Sequence, residues 1–358
     1  MYNMFLYLGF FKIFDFILKE KKKLFSILIF FFLIGITTLR SIQIGNDTVI
    51  YFNLFESIKN NTYNLNFDLN SFEFGFIVYT FLISRLFNFR IYLLITNIVI
   101  LFPYYLFITK YSKNHFLSWF IFFFFGGYSI MVNTIRISMA ISIVLIGFYF
   151  HLNKNNKLFF ISILFSSFFH YTSIINLFSF FILLFKKNIS NFLYYFIFLL
   201  SLILLINFNQ FILFLVDLFP KYEDYLVSEY FSTTPKLAVF VKIFFQIFLL
   251  YPLLLSFKLS TFKDHFYFKL SIIAFFFLVL ALRFNLLTRI ADYFMISFVI
   301  VPTIYFDLIN FRFRNIYKAS FYISIIVWFY LTLIFRPEWN YLFPYKFFWE
   351  NTFLNIII

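Results

Sequence analysis

The feature that most constrains this chain is a series of long apolar runs. Several of them reach about 17–25 residues, the length that a helix needs to cross a bilayer. The 358-residue chain is 63% hydrophobic and 12% charged, whereas about a quarter of the residues in an average soluble domain are charged. A soluble core could not enclose all of these runs. The sequence therefore predicts an all-α polytopic membrane protein, with residues 1–358 forming a single integral membrane domain.

Basic residues stand in short clusters between the apolar runs, as the positive-inside rule predicts for cytoplasmic loops. KEKKK, Lys19 to Lys23, is the strongest of these cytoplasmic anchors. Topology thus accounts for the net charge of +14, and no separate basic domain indicates nucleic-acid binding. The absence of cysteine excludes a disulfide framework, a zinc–thiolate site and a cysteine nucleophile. No small-residue cleavage site follows the first apolar stretch, so we expect no cleavable signal peptide.

The apolar runs predict about ten or eleven transmembrane elements. Acidic residues collect in two polar segments, so we expect outer loops at about residues 40–72 and 217–236. The tail, residues 336–358, is also expected outside. The first apolar stretch, which contains Lys12 and Asp15, is either a first span or an interfacial helix.

Two apolar runs do not fit a simple span. Residues 72–87 are short, so we expect a half-helix at the outer surface. Residues 158–185 have lysines near both ends, which indicates a re-entrant hairpin that turns near His170. Irregular backbone is tolerated at membrane depth where protein or a wet cavity surrounds it, and the hydroxyl groups of SSFFHYTS are suited to satisfy such a turn.

Two polar side chains interrupt the apolar segment that begins with NTIRISMAISI. Arg136 lies near the end of its run, so it either reaches the headgroups or forms an anion site with a guanidinium suited to phosphate. His170 either bonds between helices or acts as a general base, since histidine can accept a proton at neutral pH. Arg283 and Arg289 stand at the mouth of another run. Together with Arg136 they would make a pyrophosphate clamp.

Two acidic residues near the outer face are candidate sugar contacts. Asp47 precedes Tyr51 by four residues in GNDTVIYF, so a helix would place both on one face. The alternative is a surface helix with Asp47 near its N-terminus. Glu73 in FEFGF is expected at the outer interface, where it would orient an acceptor or pair with an arginine. The chain lacks HExxH, P-loop and paired DxD motifs and has seven glycines, which disfavours an enzyme that uses cytosolic ATP or a nucleotide sugar.

Six short motifs, in this order, resemble those of the EpsG-type family of bacterial exopolysaccharide polymerases, relatives of the Wzy O-antigen polymerases. The motifs are LRSIQIGNDTVIY with Arg40, FEFGF, NTIRISMAISI with Asn133, FSSFFHYTSIINL, LTRIADYF with Tyr293, and FPYK. The third motif departs from the family pattern because Ile137 replaces the usual glutamine after the arginine. The resemblance extends over nearly the whole chain.

The resemblance implies a GT-C-like enzyme that joins oligosaccharide repeat units carried on undecaprenyl pyrophosphate. It would work at the extracytoplasmic face of the cytoplasmic (inner) membrane, in exopolysaccharide, capsule or O-antigen synthesis. The leaving group would be the lipid pyrophosphate, with no metal and no cofactor. The implied partners are the lipid-linked oligosaccharide, the bilayer, a flippase and a chain-length regulator, and not nucleic acid.

The residues that would carry this reaction fall into two groups. The implied catalytic residues are His170, Arg136, Arg283 and Arg289, and the implied substrate-binding residues are Asp47, Tyr51, Glu73, Arg40, Asn133 and Tyr293.

Three other functions stay open on the sequence. A transporter or flippase for the same lipid-linked sugar would need the arginines but no base beside the acceptor. It should also show corresponding broken segments in two halves, and the sequence shows none. A glycan ligase or acyltransferase outside the cell would need the same outer histidine and arginine. A non-catalytic membrane scaffold would need neither.

Overall fold

The computed structural model describes residues 21–62, 72–184, 191–210, 213, 217, 237–256, 262–306, 314–337 and 341–350. Within these residues the regular structure is helical, apart from one isolated antiparallel bridge between Arg40 and Phe347. The predicted all-α fold is confirmed. The first apolar stretch and most of the predicted outer loop 217–236 fall outside the described residues.

The helices follow the apolar runs of the sequence. In chain order they are α1 (Lys22–Thr38), α2 (Thr48–Lys59), α3 (Phe74–Ser84), α4 (Phe89–Tyr111), α5 (His115–Phe124), α6 (Gly127–Asn133), α7 (Ile135–Leu152), α8 (Asn156–Ser167), α9 (Asn176–Leu184), α10 (Asn191–Ile206), α11 (Leu237–Ser256), α12 (Phe262–Leu280), α13 (Leu287–Asp292), α14 (Met295–Tyr305) and α15 (Arg314–Phe335). Asparagine side chains begin three of them, because Asn88, Asn114 and Asn155 each accept the backbone N–H three residues later.

Three of the described helices are long and apolar enough to cross a membrane: α4, α7 and Asn315–Phe335 within α15. Helices α5 and α6 form a fourth candidate that is bent by 48° at its break. Gly126 occupies this break with a φ of 121°, a conformation that glycine adopts without steric cost. A multi-pass membrane protein is therefore confirmed. The number of ten or eleven elements stays a prediction.

The chain divides into two compact units. The first combines Met1–Ile174 with Asn310–Ile358, and the second is Ile175–Ile309. Helices α1 to α8 and α15 belong to the first unit, and α9 to α14 belong to the second. In the second unit α12 packs against its neighbours, and a buried amide of Gln246 donates to the carbonyl of Ser271. The expectation of a single domain stays a prediction.

In the first unit, α4 packs against both α1 and α7. Side-chain contacts show which residues lie together at each end of this unit. Lys22 Nζ donates to the Lys113 carbonyl at 3.2 Å. Lys110 Nζ donates to the Tyr149 hydroxyl at 3.0 Å. We call this the lysine end; it carries Lys21, Lys22, Lys23, Lys110, Lys113, Lys154 and Lys157.

The opposite end of the first unit is marked by arginine contacts. Arg90 Nη1, at the start of α4, donates to the Arg40 carbonyl at 2.5 Å just beyond the end of α1. Asp47 and Glu73 belong to the segments at this end, which we call the carboxylate end.

Two helices stop short of the membrane thickness, as expected. Helix α3 has 11 residues and α8 has 12, so they extend about 17 and 18 Å against a hydrocarbon core of about 30 Å. After α8 the chain turns and continues through the 3₁₀ segment Tyr171–Ile175. The Ser166 hydroxyl donates to the Ser173 hydroxyl at 2.7 Å across this turn. The chain therefore turns near His170, and hydroxyl groups satisfy the turn as expected. The re-entrant hairpin itself, with both ends on one side of the membrane, stays a prediction.

Candidate active site

The carboxylate of Glu73 joins two basic side chains from distant parts of the chain. Arg136 Nη1 donates to Glu73 Oε2 at 2.7 Å. His170 Nδ1 lies 2.8 Å from Glu73 Oε1. A carboxylate can only accept, so this ring nitrogen carries the proton and donates. Glu73 as a whole is 5% exposed, which makes it a buried anion with two basic partners.

A close backbone approach places Glu73 beside His170. The N–H of Gly75, in the first turn of α3, donates to the Phe168 carbonyl at 2.9 Å. A Cβ atom at position 75 would lie 2.7 Å from both the Cβ and the carbonyl oxygen of Phe168. Only glycine leaves room for this contact, so the glycine of FEFGF allows its glutamate to reach the histidine of the later motif.

Arg136 occupies the start of α7 and faces several groups besides Glu73. Its guanidinium carbon lies 4.9 Å from the ring centroid of Phe72, a cation–π distance. The phenol of Tyr51 also interacts with it. The Arg136 side chain is 26% exposed, and that of His170 is 14% exposed. Both partners of the buried glutamate therefore keep a surface that a ligand can reach.

Asp47 and Tyr51 face one another, as a helix at this spacing requires. The Tyr51 hydroxyl donates to Asp47 Oδ2 at 3.4 Å. Burial, reinforced by the negative charge of Asp47, raises the pKa of Tyr51 to about 12. Tyr51 is therefore a neutral hydrogen-bond donor across the physiological range. Asp47 occupies the N-cap position of α2, but its side chain does not cap the helix.

The loop that carries Asp47 is held against the segment before Arg136. The Asn133 side-chain oxygen accepts from the Asn46 N–H at 3.0 Å. Gly45 has a φ of 91°, and a Cβ there would lie 2.6 Å from the Val132 carbonyl oxygen. Asn133, predicted as a substrate contact, thus holds this loop in place.

Arg40 is completely buried and supports two helix ends. Its Nη1 donates to the Thr37 carbonyl at 2.9 Å and its Nη2 to the Val132 carbonyl at 3.5 Å. These carbonyls lie in the last turns of α1 and α6, where helices leave oxygens without an internal partner. In this structure Arg40 has no exposed surface to offer a substrate.

The charge of Glu73 is maintained by its partners. Burial alone would raise the pKa of this carboxyl. The hydrogen bond from His170 and the positive charge of Arg136 outweigh burial and hold the pKa below its usual value of 4.5. Glu73 is therefore ionised at neutral pH and can stabilise a positive charge on His170.

The remaining predicted residues belong to the second unit. Arg283 is exposed in the turn after α12, and Arg289 is partly exposed on α13. Tyr293 is completely buried just beyond α13. Nearby, Lys242 Nζ donates to Asp292 Oδ1 at 3.3 Å. The clamp formed by these arginines with Arg136 stays a prediction.

Three features of the site were not predicted from the sequence. It treated Glu73 as a contact for sugar or for one arginine, and not as the link between Arg136 and His170. The signal was available, since Glu73 is the one acidic residue between positions 69 and 216 and an isolated carboxylate needs partners. The contacts of Phe72 with Arg136 and of Gly75 with Phe168 left no comparable signal. In the described part of the chain no three His, Cys, Asp or Glu residues gather as metal ligands do.

Comparison with known proteins gives one finding. The model of the EpsG family matches residues 23–347, a range that includes every residue predicted for the site. No curated protein and no solved structure matches the chain.

Proposed function

The chain belongs to the EpsG family of polysaccharide polymerases, and from this we propose a specific reaction for it. It joins oligosaccharide repeat units that are carried on undecaprenyl pyrophosphate, at the extracytoplasmic face of the membrane. The observation that carries the proposal is the buried Glu73 carboxylate that holds Arg136 and His170 together. A base and a cation side by side are what glycosyl transfer from a pyrophosphate requires.

His170 is the proposed general base. Its Nδ1–H donates to Glu73, so Nε2 is the nitrogen that can accept a proton. The acceptor hydroxyl oxygen attacks the anomeric carbon of the donor sugar, and its proton passes to His170 Nε2. The bond from the anomeric carbon to the phosphate oxygen breaks, and the lipid pyrophosphate leaves with that electron pair. Glu73 orients the imidazole and stabilises its protonated form.

Arg136 is the proposed stabiliser of the leaving group. Its fork of N–H donors suits phosphate oxygens, and its exposed surface is available to them. In the resting site the charges of Arg136 and Glu73 cancel. When His170 takes the proton the site gains one positive charge, at the step where pyrophosphate develops negative charge. We propose Arg283 and Arg289 as further cations for this group, and Asp47 and Tyr51 as sugar contacts.

The distribution of charge supports an outward-facing site. The lysine end of the first unit exposes seven lysines, which the positive-inside rule assigns to the cytoplasm. Glu73 and Asp47 lie at the carboxylate end. The proposed reaction therefore takes place away from cytosolic nucleotides, and no step of it uses a metal.

The test is polymerisation by the purified protein in nanodiscs, with lipid-linked repeat units as the only substrate. We expect a ladder of longer chains on gels, and about a 10²–10⁴-fold loss of it in His170→Ala. His151→Gln is the matched control, because His151 is a buried histidine at the lysine end that bonds to Asn156. It should retain the ladder.

The same assay separates the other functions. A flippase would move the substrate between leaflets without lengthening it. A ligase or acyltransferase would modify an added acceptor but leave the repeat units single. A scaffold would yield no ladder by itself, and in cells its polymer output would survive His170→Ala. Any of these results would replace the polymerase proposal.

A further inference from the structure

The C-terminal segment of the described chain, Tyr341 to Glu350, pairs with the segment that follows α1. The N–H of Ser41 donates to the Lys346 carbonyl at 2.9 Å, and the N–H of Phe348 donates to the Leu39 carbonyl at 3.0 Å. These two bonds flank the antiparallel bridge between Arg40 and Phe347. We call residues 341–350 the clasp.

The clasp completes the end of α1. The last carbonyls of a helix lack partners within it, and those at the end of α1 are satisfied by groups that lie beyond its last residue. The backbone N–H of Leu39 donates to the Gly35 carbonyl. The side chains of Arg40 and Arg90 donate to the carbonyls of Thr37 and Thr38 respectively. The fourth carbonyl, that of Ile36, accepts the hydroxyl of Tyr345 at 2.5 Å, from a residue 309 positions away. The clasp thus supplies a donor that α1 and its neighbours do not.

The clasp also contacts the loop that leads to the active site. The Tyr341 carbonyl accepts the Gly45 N–H at 3.3 Å. Gly45 precedes Asn46, which is bonded to Asn133, and Asp47, which accepts from Tyr51. A continuous series of contacts therefore runs from the clasp through residues 41–47 to Tyr51, beside Arg136.

We propose that the clasp is a positioning element of the active site, with Tyr345 as its principal positioning residue. It holds the end of α1 and the following loop so that Asp47 and Tyr51 stay against Arg136. The loop has no regular structure of its own, so its position depends on partners such as the clasp and Asn133. This inference rests on the proposed polymerase function, in which Arg136 and Tyr51 face the substrate.

The first test removes one hydroxyl. Tyr345→Phe keeps the ring but leaves the Ile36 carbonyl without this donor, and we expect about a tenfold loss of ladder formation in nanodiscs. Tyr341→Phe is the matched control, because Tyr341 contacts the loop through its backbone carbonyl and its side chain is 53% exposed. The control should keep full activity.

A disulfide distinguishes positioning from general destabilisation. The chain has no cysteine, and the Leu39 carbonyl accepts the Phe348 N–H at 3.0 Å directly beside the Arg40–Phe347 bridge. Opposed residues of an antiparallel pair lie about 4.5–5.5 Å apart at Cα, within disulfide range. We expect Leu39→Cys/Phe348→Cys, placed in the Tyr345→Phe protein, to restore activity when oxidised and to lose it on reduction.

A double-mutant cycle identifies the route of the effect. If the clasp acts through the Asp47–Tyr51 segment, the losses from Tyr345→Phe and Tyr51→Phe should not multiply. Full activity of Tyr345→Phe, a disulfide that forms without rescue, or multiplying losses would each overturn the inference. These results leave the polymerase proposal intact while the wild type makes the ladder and His170→Ala does not.

Discussion

Glu73 is a buried carboxylate whose two oxygens are divided between a guanidinium and an imidazole. Such an anion is stable in an apolar setting only while its partners remain, and breaking a buried pair costs about 3–5 kcal/mol. Because Arg136 is partly exposed, water can solvate its charge when the glutamate is lost. The expected cost therefore lies near the lower end of this range, at about 3 kcal/mol. At the residue scale, the site therefore depends on one negative charge.

Glu73→Gln tests that dependence through pH. The pKa of Glu73 lies below its usual 4.5, so its ionised form stabilises the fold above the ordinary pKa of an unfolded carboxyl. That contribution is lost as the pH falls through the lowered pKa of the folded state. We expect the Tm difference between wild type and Glu73→Gln in detergent to be largest near neutral pH and to shrink below about pH 4.

A control for that measurement is Glu350→Gln, which changes an exposed carboxylate. Its Tm difference from wild type should be small at every pH. If the Glu73→Gln difference stays constant across the acidic range, the charge of Glu73 does not hold the site together.

At the scale of the element, the contact between the start of α3 and the end of α8 sets the geometry. Gly75→Ala would place a methyl group 2.7 Å from the Phe168 carbonyl oxygen, and the backbone would have to move. We expect this variant to separate Glu73 from His170 and to abolish most ladder formation.

Gly35→Ala is the matched control for Gly75→Ala. It lies within α1, and a Cβ there meets nothing within 4 Å. Replacing a helical glycine by alanine should stabilise the protein by about 0.5–1 kcal/mol with activity unchanged, as thermal unfolding and the polymerisation assay would show. Equal activity of the two variants would contradict the role of this close contact.

The lengths and ends of α3 and α8 were partly predictable from the sequence. The shortness of α3 followed from the length of its apolar run, and the break after α8 followed from lysines at both ends of one long run. The pairing of Glu73 with His170 did not follow, because it depends on a backbone approach between residues 75 and 168 that no local pattern records. The bond from Tyr345 to Ile36 was equally hidden, since it joins residues 309 positions apart.

At the scale of the whole molecule, the first unit carries a cluster of seven exposed lysines at one end and the Glu73 site at the other. Single cysteines can report which end faces outward, since the chain has none of its own. Gln43 and Lys154 are both exposed, and they lie at the carboxylate and lysine ends respectively. We expect a membrane-impermeant maleimide to label Gln43→Cys in intact cells, and Lys154→Cys only after permeabilisation.

Permeabilised cells provide the control, because both cysteines should then react. Labelling of Lys154→Cys alone in intact cells would place the Glu73 site in the cytoplasm, and the extracytoplasmic reaction would have to be abandoned.

The proposed mechanism requires that Glu73 and His170 act as one unit in polymerisation. The most direct test is the rate of chain extension by purified wild type, Glu73→Gln, His170→Gln and the double variant in one assay. We predict that each single change lowers the rate by about 10²–10⁴-fold and that the double variant is no slower than the slower single one. Losses that multiply in the double variant would show that the two residues work independently and would contradict the account.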